Sequence, residues 1–568
     1  MTDDPMRFAH SLIPNPNIPP DYNILANAIS NCSGPVVHQM LKQNPDLVNL
    51  KAWHGQTALH RACLGGNSDI VGLLLQAGSN PNEPNDFDET PLHYAAKRGN
   101  LQVFQMLVQF GGDATLTDKN GKGMIHHSAE TGTVYMLHYL WEVQQLSLSD
   151  PDAKHLTPLH IVCKHGQVDS LKYLLKKGRC NLYATDCEGN TAVHMAVQEG
   201  HSYMTWLLLE VMGTKVLNVT NNEGYTPGDL ATMRDKTGHR ELVPLLKQFR
   251  RAPTAHPRGP VLKWYFYLLL PAAAFAVSVL VSKLAGDKYQ GVVVFGGLGA
   301  LLFHLRDQMH RFTDISRWPN PVHAGTFAAG LFHTAFYFFV AIMPYMTQHL
   351  YIMCLTPMYA VGLVYLYWTV LFNDPGSVSQ SEVDEKTLKP LTIVDLCLPG
   401  KKLEQFCIFC EIVRPPRTKH CRLCNKCFRD MDHHCLFLLQ CIAQKNHLRF
   451  LWFIALNIIA MVIFLAISTS HLFEIYPKLT IFEVGMTLFH SNAWHLSLMG
   501  LNMASIFWGV NLLLFQFRMV GNGFTTFYQP KQNVDVLTSM EKCMNVVYFL
   551  LGRRPFARNP FLGKEMNV

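Results

Sequence analysis

The sequence predicts an α fold class: a solenoid of repeated helix pairs, then a six-helix transmembrane domain that carries a small cytosolic zinc-binding, cysteine-rich domain. Three observations predict it. His60, His93 and His126 recur at a spacing of 33 residues, and His160 and His194 follow at 34. Six apolar runs, at 264–283, 289–305, 324–343, 351–372, 450–470 and 493–515, fill much of the second half. Seven of the fifteen cysteines fall between Cys407 and Cys441, with three histidines among them. Composition agrees: apolar residues make up 49% of the 568 and charged residues 16%, against about 25% charged in an ordinary soluble protein. That much apolar surface excludes a disordered chain, and the length excludes a small disulfide scaffold. A net charge of +7 over this length suits an anionic membrane face and argues against nucleic acid as a partner.

The elements follow in order. Residues 1–21 carry Pro14, Pro16, Pro19 and Pro20 and no apolar core, so a flexible start is expected and not a signal peptide. Residues 22–247 are the repeat array. Its text reads Thr57-Ala-Leu-His60, Thr90-Pro-Leu-His93, Thr157-Pro-Leu-His160 and Thr191-Ala-Val-His194. Each Thr opens a helix, where a following proline costs no hydrogen bond. Glycines such as Gly78 and Gly111 end the second helix of a pair. A 33-residue period with Thr-Pro-Leu-His resembles the ankyrin repeat. Five copies match well. The stretches at 22–50 and around Thr226-Pro-Gly-Asp-Leu230 are expected as capping units. The resemblance makes the repeated histidines structural groups that bond neighbouring turns. Tyr94, just after one of them, is placed either to stack on a bound peptide or to pack within the repeat.

Residues 248–263 form a basic, proline-rich linker with Arg250, Arg251, Pro253, Pro257, Arg258, Pro260 and Lys263. Spans one to four occupy 264–372 and spans five and six occupy 450–515. Most runs approach the about 20 residues that a helix needs to cross hydrocarbon. The second is the weakest, with 17 residues and four glycines between Gly291 and Gly299. Twelve Lys and Arg lie between Lys386 and Arg449, and none lie in Pro344–Leu350. The positive-inside rule therefore places the repeats, the 373–449 loop and both termini, including the 516–568 tail, in the cytosol. No acidic residue lies within a span, which opposes a cation transporter.

The 373–449 loop carries the chemistry. It reads Cys407-x2-Cys410, His420-Cys421-x2-Cys424-x2-Cys427, Asp432-His433-His434-Cys435 and Cys441. Paired Cys-x2-Cys units set two thiolates on one turn toward one ion, and tetrahedral zinc takes four Cys or His ligands. Two Cys3His sites consume six cysteines and two histidines and leave one Cys and one His over. The count by itself does not choose which.

Every spacing in this segment resembles the cysteine-rich domain of the DHHC protein S-acyltransferases. Asp374-Pro375-Gly376 after the fourth span matches that family's motif, and the ankyrin array ahead of six spans resembles the huntingtin-interacting subfamily. The resemblance implies two structural zinc ions. One would be held by Cys407, Cys410, His420 and Cys427, the other by Cys421, Cys424, His434 and Cys441. It implies Cys435 as nucleophile, His433 as proton carrier and Asp432 as its orienting carboxylate. The donor substrate would be a fatty acyl-CoA such as palmitoyl-CoA. The acceptors would be cytosolic cysteines of client proteins whose short peptide motifs bind the array. The implied residence is Golgi and associated vesicles.

Some residues depart from the family pattern. Leu436 stands for Pro, Phe437 for Trp, Gln440 for Asn, Ala443 for Gly and Tyr528 for Glu, while Asn446 and Asn545 match. Because the implied ligands and triad are intact, a working catalyst with altered rate or acyl preference is expected. The competing reading is a catalytically impaired membrane adaptor that keeps the zinc fold and tethers partners.

Overall fold

The computed structural model describes residues 19–176, 179–233, 237–250, 260–306, 311–312, 317–346, 349–384, 388–398, 403–526 and 537–553. The start (1–21) and the linker (248–263) therefore fall largely outside the described residues, and Tyr528 does so entirely. Two compact units emerge: Met1–Arg258 with Val383–Val413, and Gly259–Glu382 with Arg414–Val568. Short strands lie at β1 Ser377–Val378, β2 Phe406–Cys407, β3 Ile412–Val413, β4 Thr418–Cys421, β5 Lys426–Arg429, β6 His433–Cys435 and β7 Gln440–Ile442.

The first unit is the solenoid. Five helix pairs begin at Ala58, Pro91, Met124, Pro158 and Ala192, flanked by a pair from Pro20 and one from Pro227. The repeated histidine explains the local fold. At the first helix of a pair, the Thr57 N–H donates to His60 Nδ1 at 3.1 Å, which satisfies an orphan donor of the helix start. His60 Nε2 lies 3.0 Å from the Glu89 carbonyl of the next repeat, and His160 does the same to Asn190 at 3.1 Å. One side chain thus caps its own helix and ties it to the next repeat. The first helices of the second, third and fourth pairs end at Gly99, Gly132 and Gly166, each in the left-handed region with φ between 74° and 77°. Leu59, Leu74, Leu92, Phe104 and Leu107 run as one buried core through successive repeats. Tyr94 is buried, and its hydroxyl accepts from Gln56 Nε2 at 2.8 Å and Asn85 Nδ2 at 3.1 Å. It packs within the array.

The second unit holds the apolar helices. Among the described residues, five are long and apolar enough to cross a membrane: Val261–Ala285, Val322–Tyr345, Leu350–Phe372, His447–Ile475 and Ala493–Gly521. The expected six are thus not matched one for one by helices of this length among the described residues. The second apolar run forms a helix of only 16 residues, Gln290–Leu305. At about 1.5 Å per residue it falls short of the about 30 Å hydrocarbon core. A further 11-residue helix, Ile481–Ser491, packs against it in the loop between the last two spans. Gly325 lets the Val322–Tyr337 helix approach the first span so closely that a Cβ there meets the Leu268 carbonyl. Polar side chains join the helices: Asn502 Nδ2 donates to Thr334 Oγ1 at 3.0 Å, and His333 Nε2 lies 3.1 Å from the Ala272 carbonyl. Asn457 and Asn511 instead bond carbonyls of their own helices.

Candidate active site and metal clusters

Strand alternation sorts the cysteine-rich segment. Successive side chains of a strand point to opposite faces. In β6, His433 and Cys435 therefore share one face and His434 takes the other. β6 pairs with β7, setting His434 opposite Cys441. Four ligand atoms meet there: His434 Nδ1 lies 3.3 Å from Cys424 Sγ and 3.6 Å from both Cys421 and Cys441 Sγ, with Cys424 and Cys441 Sγ 3.5 Å apart. A zinc tetrahedron with Zn–S near 2.3 Å has edges of about 3.5–3.8 Å, so three thiols and an imidazole so spaced fit the ion. In the β4–β5 hairpin, His420 faces Cys427 while Cys421, one residue on, turns to the opposite side. Cys407 and Cys410 sit on the β2–β3 hairpin of the first unit.

The other face of β6 is built differently. Asp432 is only 1% exposed, and three donors fix its carboxylate. His433 Nδ1 lies 2.7 Å from Oδ2, Gln516 Nε2 donates to Oδ2 at 2.9 Å, and the Thr526 N–H donates to Oδ1 at 2.6 Å. The chain of contacts continues, because His447 Nε2 lies 3.0 Å from Gln516 Oε1. Burial alone would raise the Asp432 carboxyl, but the His433 and Thr526 hydrogen bonds and the nearby imidazoles hold it well below the carboxylate range. Burial opposes the His433 imidazolium, yet hydrogen bonds to Asp432 and to the Cys435 thiol lift it to about 9.

Cys435 itself is buried in apolar surroundings. Its cluster includes Val370, Leu438, Ile442, Phe450, Leu451 and Phe453, with Tyr367, Phe437 and Leu512 against it. Three apolar helices supply Tyr367 and Val370, then Phe450, Leu451 and Phe453, and finally Leu512, while Phe437, Leu438 and Ile442 come from the cysteine-rich segment itself. Phe437 packs against Trp508, with ring centroids 5.3 Å apart, and against His323 and Phe327. An aromatic ring therefore still walls the thiol where Trp is replaced.

Other motif positions act as ties, both those that match the pattern and Gln440, which departs from it. Asp374-Pro375-Gly376 leads into β1, which joins the edge of β5; the Arg429 N–H donates to the Gly376 carbonyl and Lys445 N–H to that of Pro375. Gly376, at φ 110°, takes a backbone conformation open to glycine. Gln440 Nε2 donates to the Leu371 carbonyl at 3.2 Å. Asn446 is buried between Ala443 N and the Cys441 carbonyl. Asn545 donates to the Gly521 carbonyl. Thr525 Oγ1 donates to the Met431 carbonyl at 3.0 Å. Gln516 escaped sequence reasoning. The signal was a lone amide at the end of the last apolar run, where nothing in the spacing marks it.

Comparison with known proteins follows these lines. Residues 400–533 match the DHHC palmitoyltransferase family, and this segment contains both Cys/His-rich clusters. Residues 25–118 and 92–186 match ankyrin repeats in three copies, and 188–222 match a further ankyrin repeat. The chain thus combines a DHHC palmitoyltransferase domain with ankyrin repeats. Palmitoyltransferase ZDHHC17 of Danio rerio is 29% identical over 278 residues, 47% of this chain and 42% of that protein. Palmitoyltransferase AKR1 of Mortierella alpina is 28% identical over 291 residues, 48% of this chain and 45% of that protein. Protein S-acyltransferase 10 of Arabidopsis thaliana is 46% identical over 63 residues, 11% of this chain and 18% of that protein. The chain spans less than half the length of the first two relatives. Its several long apolar helices mark this chain as a multi-pass membrane protein.

Proposed function

We propose that the protein is a protein-cysteine S-palmitoyltransferase that passes a fatty acyl group from acyl-CoA through an acyl-Cys435 thioester to client cysteines. The observation that carries this reading is the contact of His433 with the Asp432 carboxylate on one side and with the buried Cys435 thiol on the other, beside an apolar cluster that includes helix ends. A fixed carboxylate orients the imidazole, and the imidazole serves the thiol.

In the first half-reaction His433 takes the Cys435 proton. The thiolate, the nucleophilic form of cysteine, attacks the thioester carbonyl carbon. The bond from that carbon to the coenzyme A sulfur breaks, and the leaving thiolate recovers the proton from His433. In the second half, a client thiol gives its proton to His433 and attacks the acyl-Cys435 carbonyl. Cys435 leaves as thiolate and is reprotonated. The acyl chain lies along Val370, Phe437, Phe453 and Leu512, where each buried methylene contributes about 0.8 kcal/mol.

Cys421, Cys424, His434 and Cys441 would hold one zinc, and Cys407, Cys410, His420 and Cys427 the other. Closed by four protein ligands each, the ions would supply structure. The ankyrin array would recruit clients by short segments, with the array, the DHHC domain and both termini cytosolic and the protein in Golgi and associated vesicles. The domain limits given above (22–247, 264–372, 373–449, 450–515, 516–568) are part of this proposal.

The test is autoacylation of the purified full chain with an alkyne palmitoyl-CoA analogue. A hydroxylamine-labile label that vanishes in Cys435→Ser is expected. No label on protein that still holds two zinc ions would overturn the enzyme reading and leave the adaptor.

A further inference from the structure

The segment Val383–Val413 belongs to the same compact unit as the repeat array, although it lies over a hundred residues beyond it in sequence and past four apolar runs. The packing is specific. Ile393, Leu396, Cys397, Phe406, Ile408 and Val413 are buried in the same apolar core as the repeats. Leu396, Cys397 and Leu403 close over a groove walled by Gly66, Arg98 and Leu101.

The tip of the segment is held by charge. Glu411 follows Cys410 directly and occupies the left-handed turn of the β2–β3 hairpin, at φ 58°. Lys176 Nζ donates to Glu411 Oε1 at 2.6 Å and to the Phe409 carbonyl at 2.6 Å. Arg179 also pairs with Glu411. The Arg179 guanidinium lies over the rings of Trp141 at 4.5 Å and Tyr173 at 4.3 Å, and its side chain is 9% exposed. His138 stacks on Phe406 at 5.0 Å and bonds the Tyr173 hydroxyl. His138 and Trp141 come from the helix Val134–Glu142 and Tyr173 from Val168–Leu174, the second helices of two neighbouring repeats. A buried, aromatic-sandwiched arginine answering one carboxylate is a fixed receptor, unlike a solvated surface pair.

We propose that Lys176 and Arg179 are positioning residues for the acyltransferase domain: the array clamps the turn that presents Cys407 and Cys410 and so makes retention of their zinc depend on the repeats. The array then does more than recruit clients. It holds one knuckle of the zinc framework in place. This rests on the reading of Cys407 and Cys410 as zinc ligands and of the chain as an acyltransferase, and its test is separable from both.

The experiment uses the full chain in detergent, with zinc release timed by a metallochromic chelator, hydrogen exchange followed over 403–413, and autoacylation measured alongside. The variants are Glu411→Gln, Arg179→Gln, the double variant and Arg179→Lys. Each neutral single variant is expected to speed release of one of the two zinc ions about tenfold, the size of one lost charge-assisted hydrogen bond, and to raise exchange over 403–413. The double variant should equal the more impaired single one, because a shared contact is lost once, and Arg179→Lys, which keeps the charge, should release zinc at close to the wild-type rate. Autoacylation should fall severalfold in the neutral variants. Glu411→Gln leaves every repeat residue unchanged, so a fold defect in the array does not account for its effect. Unchanged zinc release and exchange in Glu411→Gln, or additive effects in the double variant, would overturn the clamp. Wild-type protein that does not autoacylate but shows these zinc and exchange changes would overturn the enzyme reading and leave the clamp standing.

Discussion

Gln516→Met is the substitution that most directly tests how the site works. Gln516 stands on the helix Ala493–Gly521, is 1% exposed, and donates one of the three hydrogen bonds that fix the Asp432 carboxylate. Methionine keeps its length and removes the amide. A hydrogen bond to a charged group contributes about 1.5–3 kcal/mol, and about 1.4 kcal/mol is a factor of ten in rate. His433 and the Thr526 N–H still hold the carboxylate, so the lower end applies and a loss of about tenfold in rate is expected. The assay is the single-turnover rate of hydroxylamine-labile acylation of Cys435, with zinc content measured in parallel. Zinc should stay at two ions while the rate falls. Gln516→Glu should be slower still, because it sets a second carboxylate against Asp432. A Met variant within twofold of wild type would refute the argument: Asp432 would then be oriented by its hairpin alone.

Four other outcomes are expected. Cys424→Ser should lower zinc content from two ions to one by metal analysis, since Cys424 lies within 3.5 Å of both His434 Nδ1 and Cys441 Sγ; two retained ions would refute the ligand set. Phe437→Ala removes a ring packed against Trp508, Phe327 and His323, and competition among acyl-CoA chain lengths should shift toward longer chains; an unchanged profile would exclude Phe437 from the acyl wall. Gly325→Ala drives a Cβ into the Leu268 carbonyl and should lower the melting temperature of the membrane helices in detergent by several degrees, in line with an overpacking cost of about 1–3 kcal/mol. The array should be acid-labile. Burial drives His60 and His138 down to about 4 and His93 to about 3. Their folded values lie below the unfolded value of 6.5, so the stability they contribute is complete above that value and is lost as pH falls toward 4. The melting temperature of the repeats by circular dichroism should fall across that window, and a flat profile down to pH 4.5 would refute it.

Much of this protein was legible in one dimension, because its signals are local or periodic. The five repeats announce themselves because each caps its own first helix with a histidine at fixed spacing, and in three of them that histidine also reaches the following repeat. The capacity for two zinc ions follows from the count and short spacings of the cysteine-rich segment, whereas the division into two sets is what the family resemblance implies; the pairing of β6 with β7 sets His434 opposite Cys441. The departures at Leu436 and Phe437 were equally visible. The second apolar run was legible only as a weakness, and among the described residues it forms a helix of 16 residues, Gln290–Leu305. Tertiary structure alone decided what depends on distant partners. Tyr94 was ambiguous until Gln56 and Asn85 closed on its hydroxyl. Gln516 gained meaning only when the last span delivered it to Asp432, 84 residues away. The pairing of Lys176 and Arg179 with Glu411 spans more than 230 residues. No periodicity encodes it, because a salt bridge across such a loop leaves no trace in the spacing of either partner.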